Sequence, residues 1–296
     1  MKSRLAPAKI NLALHVTGQR ADGYHLLDTL VTFADPAFPA ACDEVRMEVA
    51  EEDSLTISGP ESEGLDVGAD NLILQAVQAL REHGYPVPPV RMELVKNLPI
   101  ASGIGGGSAD AAAALHLANS FLDHRADQET LSTIGLSIGA DVPMCLMNAP
   151  LRAEGIGEVM AEVIAPALHM VLVNLRMGVS TPSVFKELAS KNNAPMDALP
   201  SPTTDFTTWL AQQRNDLEAA ARGLCPQIDS VLRALRRSSN IMFARMSGSG
   251  ATCFGLYPTQ AHADGAALAL AEAHSNWWIT SLRTVPTHAL PMEEAS

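Results

Sequence analysis

The residues best suited to chemistry gather in one turn. Pro99-Ile100-Ala101-Ser102-Gly103-Ile104-Gly105-Gly106-Gly107-Ser108-Ala109-Asp110 follows an alternating apolar run and leads into an Ala-rich helical one. Glycine has no Cβ, so four glycines within five residues let backbone N–H groups converge on one point. The helix that follows adds its unpaired first-turn N–H groups and the positive end of its dipole. Together these cradle an anion, and phosphate oxygens suit the cradle well. Two common phosphate motifs do not fit. A P-loop needs a Gly-Lys pair, and the chain has none. A dinucleotide fingerprint needs G-x-G-x-x-G, whereas Gly103 to Ser108 ends in Ser. A plain strand-to-helix turn is the alternative, but so many glycines would weaken such a turn for no gain.

A second polar set lies near the N-terminus. Ile10, Leu12, Leu14 and Val16 alternate as one apolar strand face, which puts Lys9, Asn11, Ala13 and His15 on the other. Asp141, just after Gly139, reads from the residues alone equally well as a turn residue closing a helix or as an active acid.

Pro7-Ala8-Lys9-Ile10-Asn11-Leu12, with Gly18-Gln19-Arg20-Ala21-Asp22-Gly23-Tyr24-His25, resembles the first motif of one group of GHMP kinases. That group is the 4-(cytidine 5′-diphospho)-2-C-methyl-D-erythritol kinases of non-mevalonate isoprenoid biosynthesis. The Gly-rich turn resembles the superfamily's phosphate loop, and Met246-Ser247-Gly248-Ser249-Gly250-Ala251-Thr252 its third motif. Ile138 to Pro143 resembles the segment carrying the catalytic aspartate, and Val179 to Lys186 the start of a substrate-side helix. The matches run in order over residues 6–257. The loop departs in having Ile100-Ala101-Ser102 where relatives have more Gly, and Ile104 where Leu is usual.

The resemblance implies transfer of the ATP γ-phosphoryl group to the tertiary hydroxyl at C2 of the methylerythritol, with Mg²⁺ arriving on the nucleotide. It makes Asp141 the general base, with Lys9 beside it and the acceptor oxygen. An ammonium near a carboxylate favours the ionised form and stabilises charge on the transferred group. Asn71, Lys96 and Pro99 through Ala109 fall to the nucleotide. Asn11, Tyr24, His25, Thr181 and Phe185 fall to the acceptor, with Tyr24 and Phe185 as stacking faces for cytosine and His25 at its polar edge. Thr181 and Ser108 also read as helix caps, and Phe185 as plain helix packing. The runners-up are another GHMP kinase, acting on homoserine, mevalonate or a sugar, and a catalytically silent nucleotide-binding relative. The Arg20-to-His25 stretch discriminates among the kinases, and retention of both Lys9 and Asp141 argues against the silent relative.

Composition bounds these readings. Across 296 residues, 20 Lys and Arg oppose 33 Asp and Glu, for a net charge of −13, with 47% apolar residues. This is a globular chain, and its acidity excludes a nucleic-acid-coating surface or an anionic-membrane binder. Only five of the basic residues are Lys, at 2, 9, 96, 186 and 191. Cys42, Cys145, Cys225 and Cys253 are widely spaced, which favours reduced thiols and a cytoplasmic location. No signal peptide, membrane span or histidine cluster at metal-ligand spacing is legible. A monomer or a homodimer is expected.

The elements that must hold these residues follow from periodicity. Strands are expected at Ile10–Val16, Leu30–Phe33, Val45–Val49, Leu55–Ile57, Val90–Val95, Met170–Leu175, Ile241–Met246, Cys253–Tyr257 and Trp277–Leu282. Helices are expected at Asn71–Glu82, Gly107–Ser120, Gln128–Ile138, Thr181–Ser190, Asn215–Ala221, Pro226–Arg237 and Thr259–Ala273. Asp70 or Asn71 would cap the first, and Thr181 the fourth, with Pro182 at its first position. Thr17–His25 and Asn192–Thr204 read as loops, the latter a candidate mobile segment. The mixture is α+β, with a boundary near 155–168. Residues 1–160 would be an ATP-binding domain like ribosomal protein S5 domain 2, and 161–296 a ferredoxin-like domain completing the substrate site.

Overall fold

The computed structural model describes residues 1–200 and 206–287. Three four-stranded sheets carry the fold. The first is β1 (Lys2–Pro7), β4 (Cys42–Val49), β6 (Val90–Val95) and β5 (Ser54–Ser58) in that spatial order, antiparallel except for β5 against β6. The second is the antiparallel series β2 (Lys9–Gln19), β3 (His25–Phe33), β7 (Leu151–Gly155) and β8 (Val159–Glu162). The third runs β10 (Phe243–Met246), β11 (Cys253–Tyr257), β9 (His169–Asn174) and β12 (Trp278–Arg283).

Four helices cover the N-terminal sheets: α1 (Leu72–Glu82), α2 (Gly106–Asn119), α3 (Gln128–Ile138) and α4 (Val142–Met147). The alanines of α2 are buried on almost every side, and their small size lets it serve as the central helix against α1 and α4. The C-terminal half adds α5 (Thr181–Lys186), α6 (Phe206–Gln212), α7 (Glu218–Leu224), α8 (Ile228–Arg237) and α9 (Gln260–Ala273). Helices follow β9, and α9 joins β11 to β12, so the third sheet has the split βαββαβ order of a ferredoxin-like domain.

Strand β2 belongs to both halves. Its apolar face, Ile10 and Leu12, packs with Met170, Leu172, Phe254 and Leu256 of the third sheet. Buried Arg245 on β10 adds a polar tie, donating from Nη1 to the Leu12 carbonyl (2.7 Å) and from Nη2 to the Leu210 carbonyl (3.1 Å). Burial lowers the pKa of this guanidinium to about 10.

Several expected boundaries move. β2 extends to Gln19 and β3 begins at His25, so the expected loop shrinks to five residues. The expected helix to Ser190 stops at Lys186, and its N-cap is Ser180 rather than Thr181, with no side-chain cap bond. Asn71 caps α1, its Oδ1 accepting from Ile73 N (3.0 Å). The last four residues of the Asn192–Thr204 loop lie outside the described residues.

A buried ion triad joins β4, β6 and α2. Lys96 Nζ donates to Asp43 Oδ2 and to Asp110 Oδ2 (2.8 Å), and all three residues are almost wholly buried. Asp43 Oδ1 also accepts from the backbone N–H groups of Asn97 (2.6 Å) and Leu98 (2.8 Å). Asp110 has no such help, and its Oδ1 has no partner among the described residues. One cation cannot neutralise two dry carboxylates, so the less supported one takes the proton. Burial pushes Asp110 up to about 8, against the pull of Lys96 and with a further push from Asp43. Burial would lower Lys96, but the two carboxylates outweigh it and hold the ammonium above its usual range.

Between the ordinary carboxylate range and about pH 8 the folded chain therefore holds a proton on Asp110 that the unfolded chain releases. Stability from this site falls as pH rises through that window. Asp110→Asn removes the slope, so urea unfolding at pH 5 and pH 8 is expected to show the variant gaining on wild type as pH rises. Lys96→Met leaves Asp43 buried without its cation and should cost about 3–5 kcal/mol at pH 7.

Candidate active site

The site is built around the entry of β2. Lys9 N donates to the Ile104 carbonyl (2.9 Å), which lays the strand start against the Gly-rich loop. Gly105 lies in the left-handed region (φ +63°), and a Cβ there would come within 3.1 Å of Lys9 Cβ and Cε. Glycine thus leaves a channel for the lysine stem. The Lys9 ammonium ends 3.0 Å from Asp141 Oδ2 and 3.3 Å from Asn11 Oδ1. The Asn11 amide is oriented by its Nδ2, which donates to Thr29 Oγ1 (2.9 Å), and Thr29 donates onward to the Ala13 carbonyl (2.7 Å). Asp141 immediately precedes α4 but its side chain makes no cap bond, so beyond the Lys9 contact at Oδ2 the carboxylate is uncommitted among the described residues. Its side chain is 41% exposed against 5% for Lys9.

The loop itself turns through positive φ at Ala101, Gly103 and Gly105. α2 then starts at Gly106 with Gly105 as N-cap and no side-chain cap, which leaves its first-turn N–H groups facing open space. Ser108 sits inside that first turn, not at the cap. The third Gly-rich segment supports the loop from behind. Ser247 Oγ donates to the Gly103 carbonyl (3.1 Å) and accepts from Asn11 N (3.0 Å), while Thr252 N donates to the Ser102 carbonyl (3.1 Å).

These segments border one cavity of about 1380 Å³, larger than a single drug-sized ligand needs. Lys9, Asn11, Asn71, Lys96, Pro99 to Gly103, Gly105 to Ser108 and Asp141 line it, as do Tyr24, His25, Thr181 and Phe185. The structure therefore brings the expected residues together, with four differences. Ile104 turns its side chain into the core from between two cavity-lining glycines, and Ala109 does so from the packed face of α2. Lys96 is not a free cation, since buried Asp43 and Asp110 both pair with its ammonium. Asn71 commits its amide to the α1 cap and to the Asp66 carbonyl (2.9 Å). Phe185 does not present a free face: His25 stacks on it, ring centroids 4.8 Å apart and planes at 22°. Burial, then Lys191, lowers the His25 pKa, so the ring is neutral near pH 7, and its buried Nε2 has no partner. Tyr24 stands at the mouth, 63% exposed. Thr181 Oγ1 lies 2.7 Å from Ser249 Oγ, which links the acceptor end to the third Gly-rich segment.

Sequence reasoning passed over Asp110, Lys186 and Lys191, all of which line the cavity. The signal for the lysines was their rarity, since four of only five border this one cavity.

Comparison with known proteins agrees with this geometry. The GHMP kinases N terminal domain matches residues 71–149 and the GHMP kinases C terminal domain matches 205–276. The 4-diphosphocytidyl-2-C-methyl-D-erythritol kinase of Brucella melitensis is 49% identical over 98% of this chain and 95% of its own length. The enzyme of the same name from Rhizobium johnstonii is 50% identical over 95% and 92%. A crystal structure of 4-(cytidine 5′-diphospho)-2C-methyl-D-erythritol kinase superposes with a TM-score of 0.77, at 31% identity, covering 96% of this chain and 99% of that one. A homoserine kinase from Cytophaga hutchinsonii shares the fold at a TM-score of 0.69 and 19% identity. With near-full-length identity of about half, and both GHMP domains in order, this chain belongs to the 4-diphosphocytidyl-2-C-methyl-D-erythritol kinase family of GHMP kinases.

Proposed function

We propose that this chain transfers the γ-phosphoryl group of ATP to the C2 hydroxyl of 4-(cytidine 5′-diphospho)-2-C-methyl-D-erythritol. The observation that carries the reading is the Lys9–Asp141 pair at 3.0 Å, set beside uncapped N–H groups of α2 in a cavity large enough for two nucleotide-type ligands. The acceptor oxygen attacks the γ-phosphorus, the bond to the β–γ bridging oxygen breaks, and ADP leaves. The hydroxyl proton passes to Asp141. Lys9 supports charge on the transferred group, held in place by Asn11 and by the channel over Gly105. Phosphoryl transfer asks for positioning and charge neutralisation more than covalent chemistry, and this arrangement supplies both.

The nucleotide phosphates fall to Gly103 and to Gly105 through Ser108. Mg²⁺ neutralises phosphate charge when it arrives with ATP. Among the described residues no group of three His, Cys, Asp or Glu is placed to hold a metal, and the Ser108 hydroxyl is the hard oxygen that the first turn of α2 offers. Residues 1–160 carry the nucleotide side, and residues 161–296 add Thr181 and Phe185 to the acceptor side. Tyr24 provides a face for the cytosine ring, Phe185 backs the His25 ring, and His25 Nε2, which has no partner among the described residues, provides a polar edge. We place the enzyme in the cytoplasm, on its four free and buried thiols.

Three outcomes test this reading. A coupled ADP-release assay should show turnover with the cytidine-diphosphate acceptor, and preferred turnover of homoserine or mevalonate would overturn the assignment. Asp141→Asn should lower kcat by about 100-fold or more while ATP binding and melting temperature stay near wild type; Lys9→Ala should lower kcat to a similar extent. Tyr24→Ala should raise the acceptor KM roughly tenfold or more with little change in the ATP KM, and an equal effect on both would remove Tyr24 from the acceptor site.

A further inference from the structure

A second cavity, of about 810 Å³, opens between α8 and α9. It shares no lining residue with the first. One wall is α8, where exposed Arg233 and Arg237 line the groove from positions one turn apart. The other wall is α9, which lines the cavity with Ala261, Gly265, Ala266 and Ala269. A Cβ built at Gly265 meets nothing within 4 Å, so the width of the groove comes from small residues. His262 and His274 border it at the two ends of α9.

The charge here runs against the rest of the molecule. Nine of the fifteen arginines form an ion pair with a carboxylate among the described residues. Arg245 is held by carbonyl oxygens. Of the five that remain, Arg233, Arg236 and Arg237 all lie on α8. Basic residues in a last turn complement the helix dipole, which accounts for Arg236 and Arg237 but not for Arg233 in mid-helix. Among the described residues no Asp or Glu lines the cavity. In a chain of net charge −13, two guanidiniums, with two imidazoles and the Ser239-Asn240 turn as further polar groups, therefore border a concave space that no described carboxylate lines.

We propose that this groove binds a small oligophosphate anion, a diphosphate or triphosphate group, at a site separate from the catalytic cavity. Arg233 and Arg237 supply the forked donors that suit phosphate oxygens. The volume exceeds that of a lone phosphate and admits the rest of a nucleotide-sized molecule. An extended polyanion is disfavoured, because the acidic remainder of the surface repels it.

The test uses the full chain and inorganic diphosphate. Calorimetric titration compares the wild-type chain with Arg233→Gln/Arg237→Gln, so that diphosphate taken up by the catalytic cavity is common to both and the site scored is the one that differs; a non-hydrolysable ATP analogue is titrated separately. Trp277 fluorescence gives an independent readout, since its ring stacks on His274 with centroids 3.7 Å apart. One saturable diphosphate site per chain is expected in that difference. Arg233→Gln/Arg237→Gln should weaken it about tenfold or more, Arg233→Lys/Arg237→Lys should retain most of it, and kcat without diphosphate should stay at wild type in both. Absence of saturable binding, or equal binding by the Gln variant, would overturn the proposal. So would self-association that the Gln variant abolishes without any diphosphate binding, which would give the groove to a second copy. Failure of the ATP analogue to bind would count against the kinase reading, and the wild-type and Gln comparison would still decide this site.

Discussion

The active site depends on one contact, that of two Gly-rich turns packed backbone to backbone. A Cβ on Gly103 would lie 2.7 Å from the nitrogen and oxygen of Gly250 and from the oxygen of Ser247. A Cβ on Gly248 would lie 2.8 Å from the Gly103 oxygen. Those positions are backbone, so nothing can swing aside to admit a side chain. Both glycines also take positive φ, where an L side chain is strained. The glycines of the third motif are therefore needed less for the ligand than for the loop that meets it. Ser247 completes the joint by bonding both Gly103 and Asn11, so one residue aligns the phosphate loop with the strand that carries Lys9.

Electrostatics follow the same plan of fixed, local charge. The chain as a whole repels anions, yet four of its five lysines border the cavity. They act differently. Lys9 pairs with half-exposed Asp141, while Lys96 is committed to buried Asp43 and Asp110. With Asp110 protonated, the triad is close to neutral, and its value is then geometric: it pins β4 and β6 to the second turn of α2. The attractive field for phosphate is left to backbone N–H groups, which no count of charged side chains records.

Much of this was legible in the sequence, for identifiable reasons. β2 and α1 have clear periods, α2 and α9 are alanine-rich runs marked by turn or cap residues at their starts, and the three motifs lie on the segments that the structure joins. β1 was not legible, because Lys2, Ser3 and Arg4 make an exposed polar edge with no alternation to read. β8 and α4 are four and six residues long, too short for a period to show. The inward turn of Ile104 and Ala109 was hidden because membership of a motif does not say which way a side chain points. The engagement of Lys96 was hidden because Asp43 lies 53 residues away in sequence.

The unequal exposure of Lys9 and Asp141 suits the roles proposed for them above. A cation that must meet developing charge gains from being immobile, since any reorganisation at the moment of transfer weakens its effect. Lys9 is accordingly buried, with its stem confined by Gly105 and its tip held between Asn11 and Asp141. A base must instead reach the proton of an incoming hydroxyl, which demands an open approach. Asp141 has that approach because it comes at the first residue before a short helix whose end it does not cap. The two halves of the pair thus come from opposite structural situations, a strand interior and an uncommitted turn. They end 3.0 Å apart, with the strand residue confined and the turn residue open.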